Sequence, residues 1–369
     1  MKRDPTIEGL CDLALVGLRR MFRPERGLFC YREVWTAAGR SLLEGESFRY
    51  TAMSVIGLLA ALRSGCAGAW KPAELNAIQE TMHADRHAVT DLGDWGLLLW
   101  MLAAGDSGLA TSVMAEIHAK LRGPDPAWDL REYGSMELAF LLAGVVEWRE
   151  HNGDSESGRQ AGGTVVRALL NLRHAGSGLF YGIPPRSGRL GGLRRRINSF
   201  AAQIYPVYAL ARYGGLWADA AALEAARACA DRLIAQRAAG GGWCWQYDVP
   251  SGRVVETYPL YAVHQDGMAP MALQALAAVA GESYAGYAVD GMRWLKGENV
   301  LALDLVDRKK ATIWRAIRRR GRGRLNSAIL VNSALTVMGL RANRDVPTGF
   351  EPVAECRPYH LGWVLLAWS

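Results

Sequence analysis

Apolar positions recur along this chain in two alternating patterns. Six segments carry apolar residues three or four apart on one side and charges on the other: 5–21, 72–87, 109–121, 163–173, 218–237 and 284–297. In the first, Leu10, Leu13, Val16 and Leu18 oppose Arg19 and Arg20, the spacing of an amphipathic helix. Each is followed by a segment apolar nearly all round: 47–62, 91–104, 135–148, 198–213, 264–280 and 326–340. A helix with a polar stripe covers the core from outside, and one apolar on every side is buried. The pattern predicts six outer–inner helical hairpins arranged in a ring. Gly105, Gly214, Gly215 and Gly281 stand where helices should stop. A last apolar segment predicts a closing helix over about 358–369. Outer-to-inner loops are mostly long and return loops mostly short, so the long loops gather on one rim, where function is expected.

Three of these long loops share a turn: Arg26-Gly27-Leu28-Phe29-Cys30-Tyr31, Ser177-Gly178-Leu179-Phe180-Tyr181 and Gly241-Gly242-Trp243-Cys244-Trp245-Gln246-Tyr247. Glycine followed by alternating aromatics reads as a short extended stretch. Its aromatics either plug the rim or form a platform for a ligand with apolar faces, such as a sugar ring or an isoprenoid. The expected fold is all-α, one domain over 1–369, with short β-hairpins on the rim.

The helix count and the Gly-aromatic turns resemble the (α/α)6 toroids. The first two turns are similar to those of unsaturated glucuronyl hydrolases, sugar 2-epimerases and uronate lyases or epimerases. Arg232-Leu233-Ile234-Ala235-Gln236 followed by Gly240-Gly241-Gly242-Trp243 also resembles the Gln–Trp repeat of squalene–hopene-type cyclases, although it occurs once and no Asp-x-Asp-Asp motif accompanies it. The toroid resemblance implies a ligand cleft where the inner helices begin.

Unusual polarity stands at those starts. The segment 258–270 places Tyr258, Tyr261, His264, Gln265 and Asp266 just before an apolar run. Asp266 offers an acid, base or orienting group, His264 a proton exchanger near neutral pH, and the tyrosines stacking or proton relay. The same residues would also suit a helix N-terminus. Arg49 and Tyr50 stand at the first inner helix, and Asp91 and Asp94 open the second. Glu137 lies inside the third, and Asn198 and Gln203 in the fourth. Asp91 reads best as a cap. Glu137 needs a partner such as Arg49, or a cavity, because an unpaired carboxylate in an apolar helix is costly. A pair drawn from Asp94, Glu137 and Asp266 would suffice for glycoside hydrolysis. Proton abstraction from a uronic acid would instead use His264 or a tyrosine, with Asn198, Arg49 or Arg194, Arg195 and Arg196 neutralising the carboxylate. Trp243 and Trp245 are candidate platforms for the substrate.

Charge favours an anionic partner. The net charge is +7, much of it in Arg186, Arg189 and Arg194–196 and in a second cluster from Arg308 to Arg324, both in long connections. The same clusters would also serve as a solvated basic surface. The first expectation is an enzyme acting on an acidic or lipid-phosphate-linked saccharide without metal or cofactor. A terpenoid cyclase or prenyl-diphosphate enzyme, with magnesium at Asp91 and Asp94, is the alternative, and a polyanion-binding scaffold the next. With Ile313, Trp314 and Ile317 beside its arginines, 315–324 would suit an anionic membrane surface. Nucleic acid is disfavoured because no docking motif accompanies the arginines. No run of 18 apolar residues and no signal segment stands out, and six scattered cysteines without a CxxC pair suit a reducing compartment. A cytoplasmic protein is expected, with peripheral contact at the inner membrane where 315–324 meets an anionic surface.

Overall fold

The computed structural model describes residues 5–36, 38–122, 127–183, 195–320, 335 and 349–369. Its outer helices are α1 Pro5–Met21, α3 Pro72–Ala84, α5 Leu109–Arg122, α7 Glu156–Leu170, α9 Ala220–Ala235 and α11 Ser283–Leu295. The inner ones are α2 Phe48–Arg63, α4 Leu92–Ala104, α6 Ser135–Asn152, α8 Ala201–Trp217, α10 Ala269–Ala280 and α12 Pro358–Trp368. Each inner helix packs on the next, and α12 completes the circle by contacting α2 on one side and α10, with its preceding π-turn His264–Met268, on the other. The result is a six-hairpin toroid. The sixth inner position is thus held by the segment expected as a closing helix; the expected inner helix 326–340 lies outside the described residues, apart from Leu335.

Burial follows the two patterns. Every residue of α4 except Asp94 is buried, whereas α1 leaves Val16 57 % exposed while hiding Leu10 and Leu18. Glycines set how closely neighbours approach: a Cβ on Gly57 would stand 2.0 Å from the Gly362 carbonyl oxygen, and one on Gly144 would stand 2.3 Å from that of Gly96. Helix α7 begins seven residues before the expected position. Gly158 and Gly162 lie within it, where a Cβ would press on Trp148 and Tyr213. Glycines that look like helix breakers in sequence are close-packing positions here.

More strand pairing occurs on the rim than the sequence suggests. β1 Phe22–Arg23 pairs with β2 Leu28–Phe29, and β9 Val306–Asp307 with β10 Thr312–Ile313. β3 Arg32–Trp35 lies between β4 Ser41–Glu44 and β13 Glu355–Cys356, and β11 Ala316–Arg319 lies between β8 Leu260–Tyr261 and β12 Phe350–Val353. The β3–β13 pair, Val34 opposite Glu355 and Glu33 opposite Cys356, stitches the first long loop to the last. A third sheet joins β5 Ile197–Ser199, β6 Gln246–Asp248 and β7 Arg253–Glu256. The strand β11 occupies part of the segment 315–324 expected at a membrane surface. Of the apolar residues behind that expectation, Ile313 and Ile317 are fully buried and Trp314 is half-buried, so two of the three are already used inside the fold; 321–324 lie outside the described residues. No helix among the described residues is long and apolar enough to cross a membrane.

Candidate active site

Inner helices run parallel. Gly93 abuts Glu137, and Gly96 abuts Leu141; the Ser135 hydroxyl donates to the Ala202 carbonyl at 2.7 Å. All six N-termini therefore open on one mouth, with the positive ends of their dipoles facing it. Ser47 caps α2 by accepting from the Tyr50 N–H. Asp91 caps α4 by accepting from the N–H groups of Gly93 and Asp94 at 2.9 and 3.2 Å.

Arg49, from α2, reaches across to α4. Its Nε donates to Asp94 at 2.5 Å and its Nη2 to Asp91 at 2.6 Å. Burial opposes the charge on Arg49, but the bond to Asp94 overrides it and raises its pKa. Asp94 is also held above the usual carboxylate value, because burial outweighs the help from Arg49. Glu137, half-buried in the first turn of α6, has no ion-pair partner among the described residues. Burial raises its pKa; backbone N–H groups pull the other way, nearby Asp91 adds to the rise, and Arg49 opposes it. Gly93 permits this neighbourhood: a Cβ there would lie 3.2 Å from the Glu137 Cα. Two carboxyls thus stand on adjacent helices, one bonded to a cation and the other not.

Across the mouth, Glu355 receives Arg357 at 2.6 Å, Arg32 at 3.3 Å and Arg315. Arg32 also holds Glu44, so three guanidiniums face two carboxylates. Burial would raise the Glu355 pKa, but Arg357 and Arg315 carry it below its ordinary value. Arg357 further donates to the Tyr50 and Tyr31 hydroxyls at 2.7 and 3.0 Å. Tyr31 stacks on Tyr50 at 5.3 Å, and Tyr50 tilts against Tyr359 at 4.5 Å. Tyr31, Glu355, Arg357 and Tyr359 were not among the expected site residues. Tyr31 ends the first Gly-aromatic turn, which is the one local signal; the others are recognisable only once the last strand has come back to β3.

The remaining expected residues divide. Tyr261 lies under Arg315, 5.2 Å from its guanidinium, and Tyr258 lies beside Arg319 and Phe350. His264 is packed between Phe200 and Tyr261, with its Nδ1 buried and unpartnered. Burial, with His360 and Arg315 adding to it, lowers its pKa to about 3 and keeps it neutral. Trp245 is half-exposed on the rim, and Arg195 stacks 3.9 Å over Tyr181.

Others are structural. Asp266 has no exposed surface; its two oxygens accept from the His360 Nε2 at 2.7 and 2.9 Å, tethering α12 to the π-turn instead of facing a ligand. Gln203 is fully buried and clasps the Phe180 backbone at both N–H and carbonyl. Trp243 is fully buried against Phe200, so it is core and not a platform. Arg196 is spent on the buried Asp248 at 2.9 Å. Asn198 is buried, accepting from the Gly182 N–H and donating to the Arg195 carbonyl. Arg194 lies outside the described residues.

No family profile matches the chain, and no curated protein matches it in sequence. Solved structures do. An unsaturated glucuronyl hydrolase specific for heparin is 15 % identical, with a TM-score of 0.60 over 98 % of this chain and 95 % of that one. A sugar epimerase from a ruminal bacterium is 9 % identical, with a TM-score of 0.62 over 98 % and 96 %. The alpha-1,6-mannanase of Salegentibacter sp. HEL1_6, an inactive variant bound to alpha-1,6-mannotriose, is 11 % identical, with a TM-score of 0.59 over 98 % of both chains. The chain is an (α/α)6 toroid. At these identities the likeness is one of fold.

Proposed function

We propose that this toroid is a carbohydrate-active enzyme that cleaves an acidic saccharide at the mouth formed by the inner-helix N-termini. The carrying observation is the carboxyl pair on adjacent helices, Asp94 bonded to Arg49 and Glu137 without an ion-pair partner among the described residues. Hydrolysis of a glycosidic bond needs one carboxyl that keeps its proton and one that has lost it. Glu137 is the acid: burial favours its neutral form, nearby Asp91 adds to this, and among the described residues no cation bonds its carboxylate, Arg49 opposing the rise only through space. Asp94 is the carboxylate and acts as base or nucleophile: burial raises its pKa as well, but the bond and charge of Arg49 work for its ionised form. Arg357 and Arg315 share Glu355 with Arg32, so the cluster of three guanidiniums and two carboxylates keeps an excess of positive charge; set beside the Tyr31–Tyr50 stack, it receives the saccharide's acidic group, for which a planar guanidinium is well shaped. That the solved toroids of this shape include a glucuronyl hydrolase, an epimerase and a mannanase supports a saccharide as substrate.

The proposed chemistry calls for no metal. Asp91 and Asp94, the expected magnesium ligands of a prenyl-diphosphate enzyme, are both engaged by Arg49. The test is turnover of disaccharides carrying a terminal uronate against neutral ones, with Glu137→Gln and Asp94→Asn as controls. Release of sugar from the uronate substrates, abolished in both variants, is expected. Cleavage that survives both substitutions would overturn the assignment. Turnover of a prenyl diphosphate in its place would overturn the substrate class.

A further inference from the structure

Around the mouth, the described residues stand in a definite order. Arg357 is at α12, Tyr50 and Arg49 at α2, Asp94 at α4, Glu137 at α6, and Arg195 just before α8. The carboxyl pair is therefore flanked by cations on both sides. Arg195 is near Glu137 through a short chain of contacts. A Cβ on Gly134 would meet the Gly182 carbonyl oxygen at 2.0 Å and the Glu137 carboxylate at 2.9 Å, and Gly182 follows Tyr181, the ring beneath the Arg195 guanidinium. Asn198 presets this stack. Its Oδ1 accepts from the Gly182 N–H at 2.8 Å and its Nδ2 donates to the Arg195 carbonyl at 2.6 Å, binding both strands of the stack together. Arg195 differs from its neighbour Arg196, which is neutralised by Asp248. Among the described residues Arg195 has no carboxylate partner, and its Nε is buried without an acceptor. An arginine stacked on an aromatic face keeps its edge free for an anion.

We propose that Arg195 is a second anion receptor, so that the preferred substrate carries an acidic group on the sugar next to the one whose acidic group meets Arg357. This rests on the reading of the mouth as a saccharide cleft. It adds that the cleft holds at least two sugars, with their charges on opposite sides of the Asp94–Glu137 pair. Arg357 takes the terminal sugar because it is closed in by Glu355, Tyr31 and Tyr50, its side chain only 11 % exposed. Asn198 is a positioning residue for Arg195.

The experiment is calorimetric binding of two probes to full-length protein carrying Glu137→Gln. Both are disaccharides of a terminal uronate and an N-acetylhexosamine, and one bears a sulfate ester on the second sugar. The sulfated probe is expected to bind on the order of tenfold more tightly, as a charge-assisted hydrogen bond permits. Arg195→Gln should bring the ratio of the two affinities to about one, and Arg195→Lys should restore part of it. Asn198→Ala should lower the ratio in the same direction as Arg195→Gln. Equal binding of both probes to the parent protein, or equal weakening of both by Arg195→Gln, would overturn the second receptor while leaving the saccharide cleft standing. Binding of neither probe would overturn the cleft itself, and this inference with it.

Discussion

Raising the pH from 6.5 to 9 perturbs one buried contact that closes the ring. His360, in the first turn of α12, and Asp266, in the π-turn before α10, are both sealed from solvent and joined at 2.7 Å. Burial alone would strip the proton from His360, but the Asp266 charge and hydrogen bond overcome it and, with a smaller push from Cys356, carry the pKa from 6.5 up to about 9. The nearby His264 stays neutral throughout this range. Below pH 6.5 the imidazole is protonated in both the folded and unfolded chain, so the contribution is complete. Above it the unfolded chain gives up the proton while the folded one keeps it, until the pH passes about 9. Over that interval stability falls by about 1.36 kcal/mol per pH unit, roughly 3 kcal/mol in all. The assay is urea unfolding followed by tryptophan fluorescence at half-unit pH steps, for wild type and for His360→Gln. The variant starts lower, because a buried carboxylate that loses its cation is costly, and its stability should be nearly flat over the same interval relative to wild type. Parallel curves for the two proteins would refute the reasoning, since the slope would then belong to other groups.

Four further outcomes are expected. Glu137→Gln and Asp94→Asn should each lower kcat by about 10²–10⁴-fold, the usual worth of a positioned acid or base, with unchanged circular dichroism. Arg49→Gln should move the acid limb of the pH–rate profile to higher pH, because Asp94 loses the cation that favours its charged form; an unmoved limb would remove Asp94 as the base. Gly362→Ala should destabilise the protein by roughly 1–3 kcal/mol by overpacking, since its Cβ would stand 2.6 Å from the Met53 carbonyl oxygen; thermal melting measures it. Treatment with EDTA should leave turnover intact, and a lasting loss restored by magnesium would return attention to the diphosphate alternative.

The helices were legible because a helix is a local object. Its hydrogen bonds close four residues apart, and which face is apolar can be read from spacing alone. Helix α1 matches its expected limits, and Asp91 caps α4 as its position suggested. Starts were misjudged where glycine serves packing, as in α7, because nothing local distinguishes a glycine that breaks a helix from one against which Trp148 must fit.

The site was legible only in part. Glu137, Asp94 and Arg49 were named from a buried charge near a helix start, and they do gather. The segment around Asp266 looked richest in chemistry, yet Asp266 is consumed by His360, 94 residues away. Likewise Tyr31, Tyr50, Arg315, Glu355 and Arg357 meet only when the last strand pairs with the first long loop. Sequence by itself determined the helices, their inner or outer place and the rim on which polar groups collect. Tertiary structure alone decided which carboxylates are spent as tethers and which stand half-buried at the mouth. Burial and the nearest opposite charge govern ionisation, and both are set by ring closure between residues remote in the chain.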